Sequence, residues 1–559
     1  MGVLEIFYRN LNASRVPDSE ASESLASSLA FTSLLGLTNL GKLGNDKAGR
    51  QAAERLLKSW PGIFKWAFYF FTVRVKSTAQ TPQIRRSGMD ILSGMLYSIC
   101  GEEAVRLAVL DTPGALEMAT FIWFFEDSVP APSMIDSPIC TMVLDCLLRM
   151  GDVGNLNRVV AASGGNADGM AKLVMKRIKS EMRKPAIDIM HATPSIDPLG
   201  KFSQPVQHPL RYAFVAQGAV GTVTHLLLAC IAQRATSQTT GHPQEIAGCF
   251  AYIRNAMQSD CTDGFTWVSE AVKAGLLLAF VNASPHYSTL PTQHQEFILV
   301  IIELIVPRYL VYRTVINNVH AALAIAQASP YIASVFRGPA KDAWEAFVRL
   351  AEDRKAFERH SMPLQVLLIV CDNAKCLKTA PKAQFRQCSA CMNTNYCSRE
   401  CQTIAWKEGD HKTMCKLKKQ ERIENKTSIS KTDAFFINKL SFRDTLRNLD
   451  HIKTKAASTY PGMPLYALIV KIDYTCYPEI YAVSPLAGYQ RGVTQEPRHA
   501  ALLDRVREDP RQWTVVEAMV AHGEGGRLLM SARSNLWALP PDTLSRELQD
   551  GGSLSAEVD

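Results

Sequence analysis

"CSACMNTNYCSRECQTIAWKEGDHKTMC" occupies Cys388–Cys415. It holds five cysteines (Cys388, Cys391, Cys397, Cys401 and Cys415) and His411, and Cys371 and Cys376 lie just upstream. Half of the chain's 14 cysteines therefore sit in under a tenth of its 559 residues. Thiolate and imidazole are preferred zinc donors, and zinc takes four in a tetrahedron, so eight donors suit two ions. The donors fall in pairs: Cys371 with Cys376, Cys388 with Cys391, Cys397 with Cys401, and His411 with Cys415. Cys388-x2-Cys391 fits a tight knuckle that aims both sulfurs at one metal. Cys397 and Cys401 are four apart, as are His411 and Cys415, a spacing that puts both side chains on one face of a helix. Each helix then offers two ligands and cannot close a tetrahedron alone, so a knuckle must supply the other two.

With Tyr396 before the fifth cysteine, and Gln402 and Trp406 after the sixth, this order resembles the MYND-type zinc finger. The resemblance covers 371–415. It implies an interleaved pairing, with Cys371, Cys376, Cys397 and Cys401 on one zinc and Cys388, Cys391, His411 and Cys415 on the other. Two departures stand out. The first pair, "CDNAKC", has a wider gap than the family's usual one, and "WKEGDH" lengthens the step to His411. Four intervening residues still suit a zinc knuckle, and the longer step falls in a loop with Gly409, where added length costs little. Complete protein ligand sets leave no open position for water or substrate, so both zinc ions read as structural. Lys375, Lys378, Arg399 and Lys412 are placed to offset the negative thiolate sites. Family members of this kind bind proteins, often short proline-rich peptides, which makes Gln402 and Trp406 the candidate peptide-binding residues. The "CDNxKC" opening and the "YCSRECQxxxWxxGxH" run look like multi-domain MYND proteins of fungi. Some of these assist ubiquitin ligases and others act in transcription.

The composition, 47% hydrophobic and 20% charged, is that of a globular protein long enough for several domains. No apolar run reaches the length of a membrane span. "FILVIIELIV", which carries Glu303 and stops at Pro307, reads as a buried helix. "MGVLEIFYRN" shows no signal peptide, and Ile6 stands where a myristoylation signal needs Ser or Thr. These features predict an intracellular, reducing location, nucleus or cytoplasm unresolved, in which clustered cysteines mean metal. The scattered Cys100, Cys140, Cys146, Cys230, Cys249, Cys261 and Cys476 read as small buried hydrophobes. The formal charge of +8 falls once seven thiolates bind two divalent ions, leaving a mild excess. The basic run "CKLKKQER" reads as a solvated face or linker.

Residues 1–365 read as α-helical, either armadillo-like or an irregular bundle. Trp344, Phe347, Val348 and Ala351 mark one apolar face, and Val220, Val223 and Leu227 another. "FKWAFYFFTV" is apolar all round and predicts deep burial. "HATPSIDPLGKFSQPVQHP" reads as a loop. In "FVAQGAVGTVTHLLLACIAQ" and "WVSEAVKAGLLLAFVNAS" a short helix ends at Gly218 or Gly275 and a longer apolar helix begins, as in armadillo-type repeats. After the finger, 430–545 predicts a small α+β domain: a helix over "SKTDAFFINKLSFRDTLRNLDHI", a strand pair over "PLYALIVKIDYT" and "PEIYAVSP", a helix over "RHAALLDRVRED", and a hairpin over "RQWTVVEAMVAHGEGGRLLMSARS". Residues 546–559 read as a disordered tail.

The whole is expected to be mainly α and to act as a zinc-binding adaptor for protein partners, not as an enzyme, with oligomeric state undetermined. A lysine methyltransferase of the kind that splits a SET domain around such a finger is the enzymatic alternative; the Asn-His motif of those enzymes is missing. A nucleic-acid-binding zinc protein is the second alternative, but "SRECQTIAW" is poor in base-reading side chains. "LWALPPDTL", with Pro540 and Pro541, has the proline-plus-leucine character of a finger ligand within the chain itself.

Overall fold

The computed structural model describes residues 2–538 apart from 18–23, 41–46, 134–136, 149–151, 186–195, 197, 206–207, 237–242, 259–263, 362–367, 374–375, 377, 392–393, 409–410, 413–414, 417–428, 490–496, 524 and 535. Gly409, Lys375, Cys261, Pro540, Pro541 and the 546–559 tail thus lie outside the described residues. The chain divides into two compact units, Met1–Tyr252 and Ile253–Asp559. It is mainly α.

The first unit is built of α1 (Gly2–Asn10), α2 (Leu25–Leu37), α3 (Lys47–Phe70), α4 (Pro82–Ile99), α5 (Glu103–Asp111), α6 (Ala115–Phe125), α7 (Ile139–Leu147), α8 (Val153–Ala162), α9 (Ala167–Glu181), α10 (Pro209–Ala216) and α11 (Ala219–Thr236). The boundary between units falls within α12 (Pro243–Met257). The core of this unit is aromatic: Trp66 stacks on Phe70 at 5.6 Å, and Phe202 bridges Trp123 and Phe214 at 5.9 and 6.0 Å. Two expectations change here. Phe68 of "FKWAFYFFTV" is 46% exposed, because a helix on the rim of a unit buries one face only. Residues 198–202 of the expected loop are helical and carry Phe202 into the core.

The second unit opens with α13 (Phe265–Lys273), α14 (Leu276–Ala283), α15 (Thr292–Val300), α16 (Arg313–Gln327) and α17 (Lys341–Ser361). Both predicted glycine turns are present. Gly218 and Gly275 have φ of 72° and 104°, a region that costs glycine nothing. The helix after Gly275 is short, however, because α14 gives way to a 3-10 segment at Ser284–Thr289. The apolar "FILVIIELIV" stretch is helical with a π segment at Ile301–Ile305, and its helix continues through Pro307. Trp344, Phe347 and Ala351 line the buried face of α17, with Val348 half-buried beside them.

The C-terminal part is an α+β layer. Ser430 caps α19 (Lys431–Arg447) by accepting from the Asp433 amide. The single helix read from the sequence breaks at Asn448 into α19 and α20 (Leu449–Thr459). Strands β5 (Leu468–Asp473), β6 (Ile480–Pro485), β7 (Trp513–His522) and β8 (Gly525–Ser534) form a sheet in the order β6-β5-β7-β8, with α21 (Pro497–Glu508) between β6 and β7. Both predicted hairpins pair antiparallel, and β5 and β7 join them in parallel. One sheet face packs Ile469, Val515, Met530 and Ala532 against Leu502, Leu503 and Val506 of α21. On the other, Tyr481 accepts from Asn448 Nδ2 at 3.0 Å. The Tyr309 and Tyr312 hydroxyls donate to the carbonyls of Gly523 and Ala521 at 3.2 and 2.7 Å, tying the β7–β8 turn to the helices.

Candidate metal centre

Between α17 and α19 lie two small antiparallel pairs, β1 (Leu368–Val370) with β2 (Thr379–Pro381) and β3 (Arg386–Gln387) with β4 (Asn395–Tyr396), followed by α18 (Arg399–Lys407). Short strands bring the knuckle cysteines together. The Cys388 amide donates to the Thr394 carbonyl at 2.9 Å, closing one knuckle, and the Cys376 amide donates to Asn373 at 2.8 Å, closing the other. Ser398 caps α18 by accepting from the Cys401 amide, which orients Cys401 in the first turn beside Cys397.

The eight donors fall into two groups. Cys371, Cys376, Cys397 and Cys401 form one, and Cys388, Cys391, His411 and Cys415 the other, with all donor atoms of a group within 4.8 Å of one another. This is the interleaving that the resemblance implies. The separations fit zinc. A Zn–S bond of about 2.3 Å makes the edge of a sulfur tetrahedron roughly 3.8 Å. Sulfur pairs Cys376–Cys397, Cys397–Cys401 and Cys388–Cys415 stand at 3.6, 3.5 and 3.8 Å, and His411 Nε2 is 3.4 Å from Cys388 Sγ. The second quartet is buried throughout, whereas only Cys371 is buried in the first.

Protonation follows the crowding. Burial opposes ionising Cys388, yet hydrogen bonds from the Cys391 and Ala390 amides and from His411 outweigh it and bring the thiol down to about 6. Cys401 is likewise brought down to about 7, against burial, by the Asn373 side chain and the neighbouring thiols. Cys415 is pushed up to about 12, first by burial and then by Cys388. Within each quartet one sulfur is thus ready to ionise at its neighbours' expense. A divalent cation removes that conflict, since every ligand binds it deprotonated. Two structural zinc ions fit these sites. Thr394 is a further participant that spacing did not single out: its hydroxyl lies 3.2 Å from Cys391 Sγ and 3.5 Å from His411 Nε2.

The finger has its own core. Cys371, Cys388, Cys391, Tyr396, Ala405 and Cys415 cluster, with Phe385 packed against them. Tyr396 is fully buried and meets the His411 ring edge-on at 5.5 Å. Trp406 also contacts His411, at 5.7 Å, yet remains 42% exposed. Gln402, one turn earlier on α18, is half-buried.

Of the scattered cysteines, Cys100, Cys140, Cys146, Cys230 and Cys249 are buried as expected. Cys476 is exposed, on the β5–β6 connection, where no core is available to it.

A cross-braced zinc finger with two closed ligand sets is the class this site defines. Residues 371–415 match the family model of the MYND finger, and the chain carries a MYND-type zinc finger. No curated protein matches it. Among the described residues, no single helix is long and apolar enough to cross a membrane.

Proposed function

We propose that the protein is an adaptor whose helical body carries the finger and whose finger docks partner proteins through a short proline-containing peptide. The observation behind this reading is Trp406. Its ring is fixed by an edge-on contact with a metal ligand while much of its surface stays open to solvent. A fixed, exposed indole offers a face for proline rings at little entropic cost, and the Gln402 amide one turn away can bond peptide backbone. Partners of transcriptional co-regulator or ubiquitin-ligase accessory type are consistent with this chemistry. Both metal quartets consist of four protein donors, which supports a structural rather than catalytic metal.

The test is binding of a labelled peptide copying LWALPPDTL to the full chain. Trp406→Ala is expected to weaken it by about tenfold or more, the scale of one aromatic anchor. Two zinc ions per chain should remain, measured by metal analysis. Unchanged affinity with zinc retained overturns the peptide site, and methyl transfer from S-adenosylmethionine would overturn the non-catalytic reading.

A further inference from the structure

The finger interrupts a helical hairpin. α17 ends at Ser361, and α19 begins at Lys431. The two helices run antiparallel in contact. Phe357 meets Phe436 at 5.7 Å, Arg354 reaches Asp444 at 2.6 Å, and Asp353 is held by Arg443 and Arg447 at 2.7 and 2.6 Å. At the last residue of α17, the Ser361 carbonyl accepts from Lys439 Nζ at 3.0 Å, about two turns inside α19. Neighbouring antiparallel helices are ordinarily joined by about two to eight residues. Here residues 362–430 intervene, and the finger among them carries its own core.

We propose that the finger is a metal-folded insert in this hairpin, and that zinc availability switches it between a docking head and an unstructured loop while its carrier stays folded. One observation and two physical arguments support this. The ion pairs of the carrier's seam use no residue of the finger: Arg354 pairs with Asp444 and Glu479, and Asp353 with Arg443 and Arg447. So small a finger core gains most of its folding free energy from the metal, because its ligands cannot hold one another without it. Loop-closure entropy rises only with the logarithm of length, so an unfolded excursion is a small burden on a seam already formed.

Hydrogen exchange on the full chain tests this, with zinc present and after chelation. Amides in 371–416 should exchange at least about tenfold faster after chelation, while those of α17 and α19 should stay within about twofold. Loss of protection in α17 and α19 overturns the proposal, as does a finger that keeps its protection without metal. Because chelation exposes thiols that could cross-link, a full chain with Cys388→Ser and Cys397→Ser, one ligand from each quartet, provides the second reading. Its main thermal transition should lie within about 3 °C of the parent. A variant that is unfolded or melts far lower overturns the proposal.

Discussion

At the scale of single residues, the finger shows how much a metal site depends on groups that do not touch the metal. Thr394 stands between Cys391 and His411 with its hydroxyl near both donor atoms. Its O–H can donate to the Cys391 thiolate and fix where that sulfur points. Outer partners of this kind are typically worth about 10- to 100-fold in metal affinity. Thr394→Val keeps the shape and removes the hydroxyl. It is expected to lower zinc affinity by about tenfold at the Cys388 quartet, read by competition with a chromophoric chelator. The eight ligands were legible in the sequence because zinc demands particular residue types at short spacings. Thr394 was not, because a threonine in a knuckle loop has no distinguishing pattern. Trp406 shows a different limit. A tryptophan's exposure is not written in its sequence, and in the structure the ring both packs against His411 and keeps an open surface.

Secondary-structure elements were legible wherever local pattern decides them. Both C-terminal hairpins and the helix between them follow from alternation and turn chemistry. The parallel pairing of β5 with β7 does not, since Val470 meets Val516 only after the intervening hairpin and helix have folded back. The break at Asn448 was also hidden, because the apolar spacing on either side is helical and the backbone deviates at one residue. Arg354 belongs with these long-range features. In sequence it is one charge among many on a polar helix; in the structure it is buried between Asp444 and Glu479, with the Tyr474 hydroxyl also donating to Asp444 at 2.9 Å. Arg354→Met would take away the cation that Glu479 and Asp444 share, leaving Asp444 with Arg443 alone. Breaking a buried pair from one side costs about 3–5 kcal/mol, so the variant's urea midpoint should fall by that equivalent. If both carboxylates are also made neutral, much of the loss should be recovered.

The second unit as a whole has several carboxylates held ionised by neighbouring cations. Burial alone would raise Asp444 and Asp353, but Arg354 and Arg443 around the first, and Arg443 and Arg447 around the second, hold both below their ordinary 3.8. Glu358, also opposed by burial, is kept below 4.5 by Lys355 and Arg313. A carboxyl with a depressed folded pKa adds stability that is complete above its unfolded pKa and disappears as pH falls through the folded one. Stability should therefore be steady from neutrality down to about pH 5 and decline below about pH 4. Unfolding midpoints across that range check it. A seam that holds equally well at pH 3 would mean these arginines contribute nothing net.

The contact between the Ser361 carbonyl and the Lys439 ammonium reaches beyond this protein's own chemistry. Lys439 lies about two turns inside α19, so the end of α17 and the start of α19 at Lys431 stand roughly 12 Å apart along the helix axis and make a cassette position. A foreign domain whose termini stand about that far apart could be grafted there in exchange for 362–430, and the host would sense little more than a changed loop length.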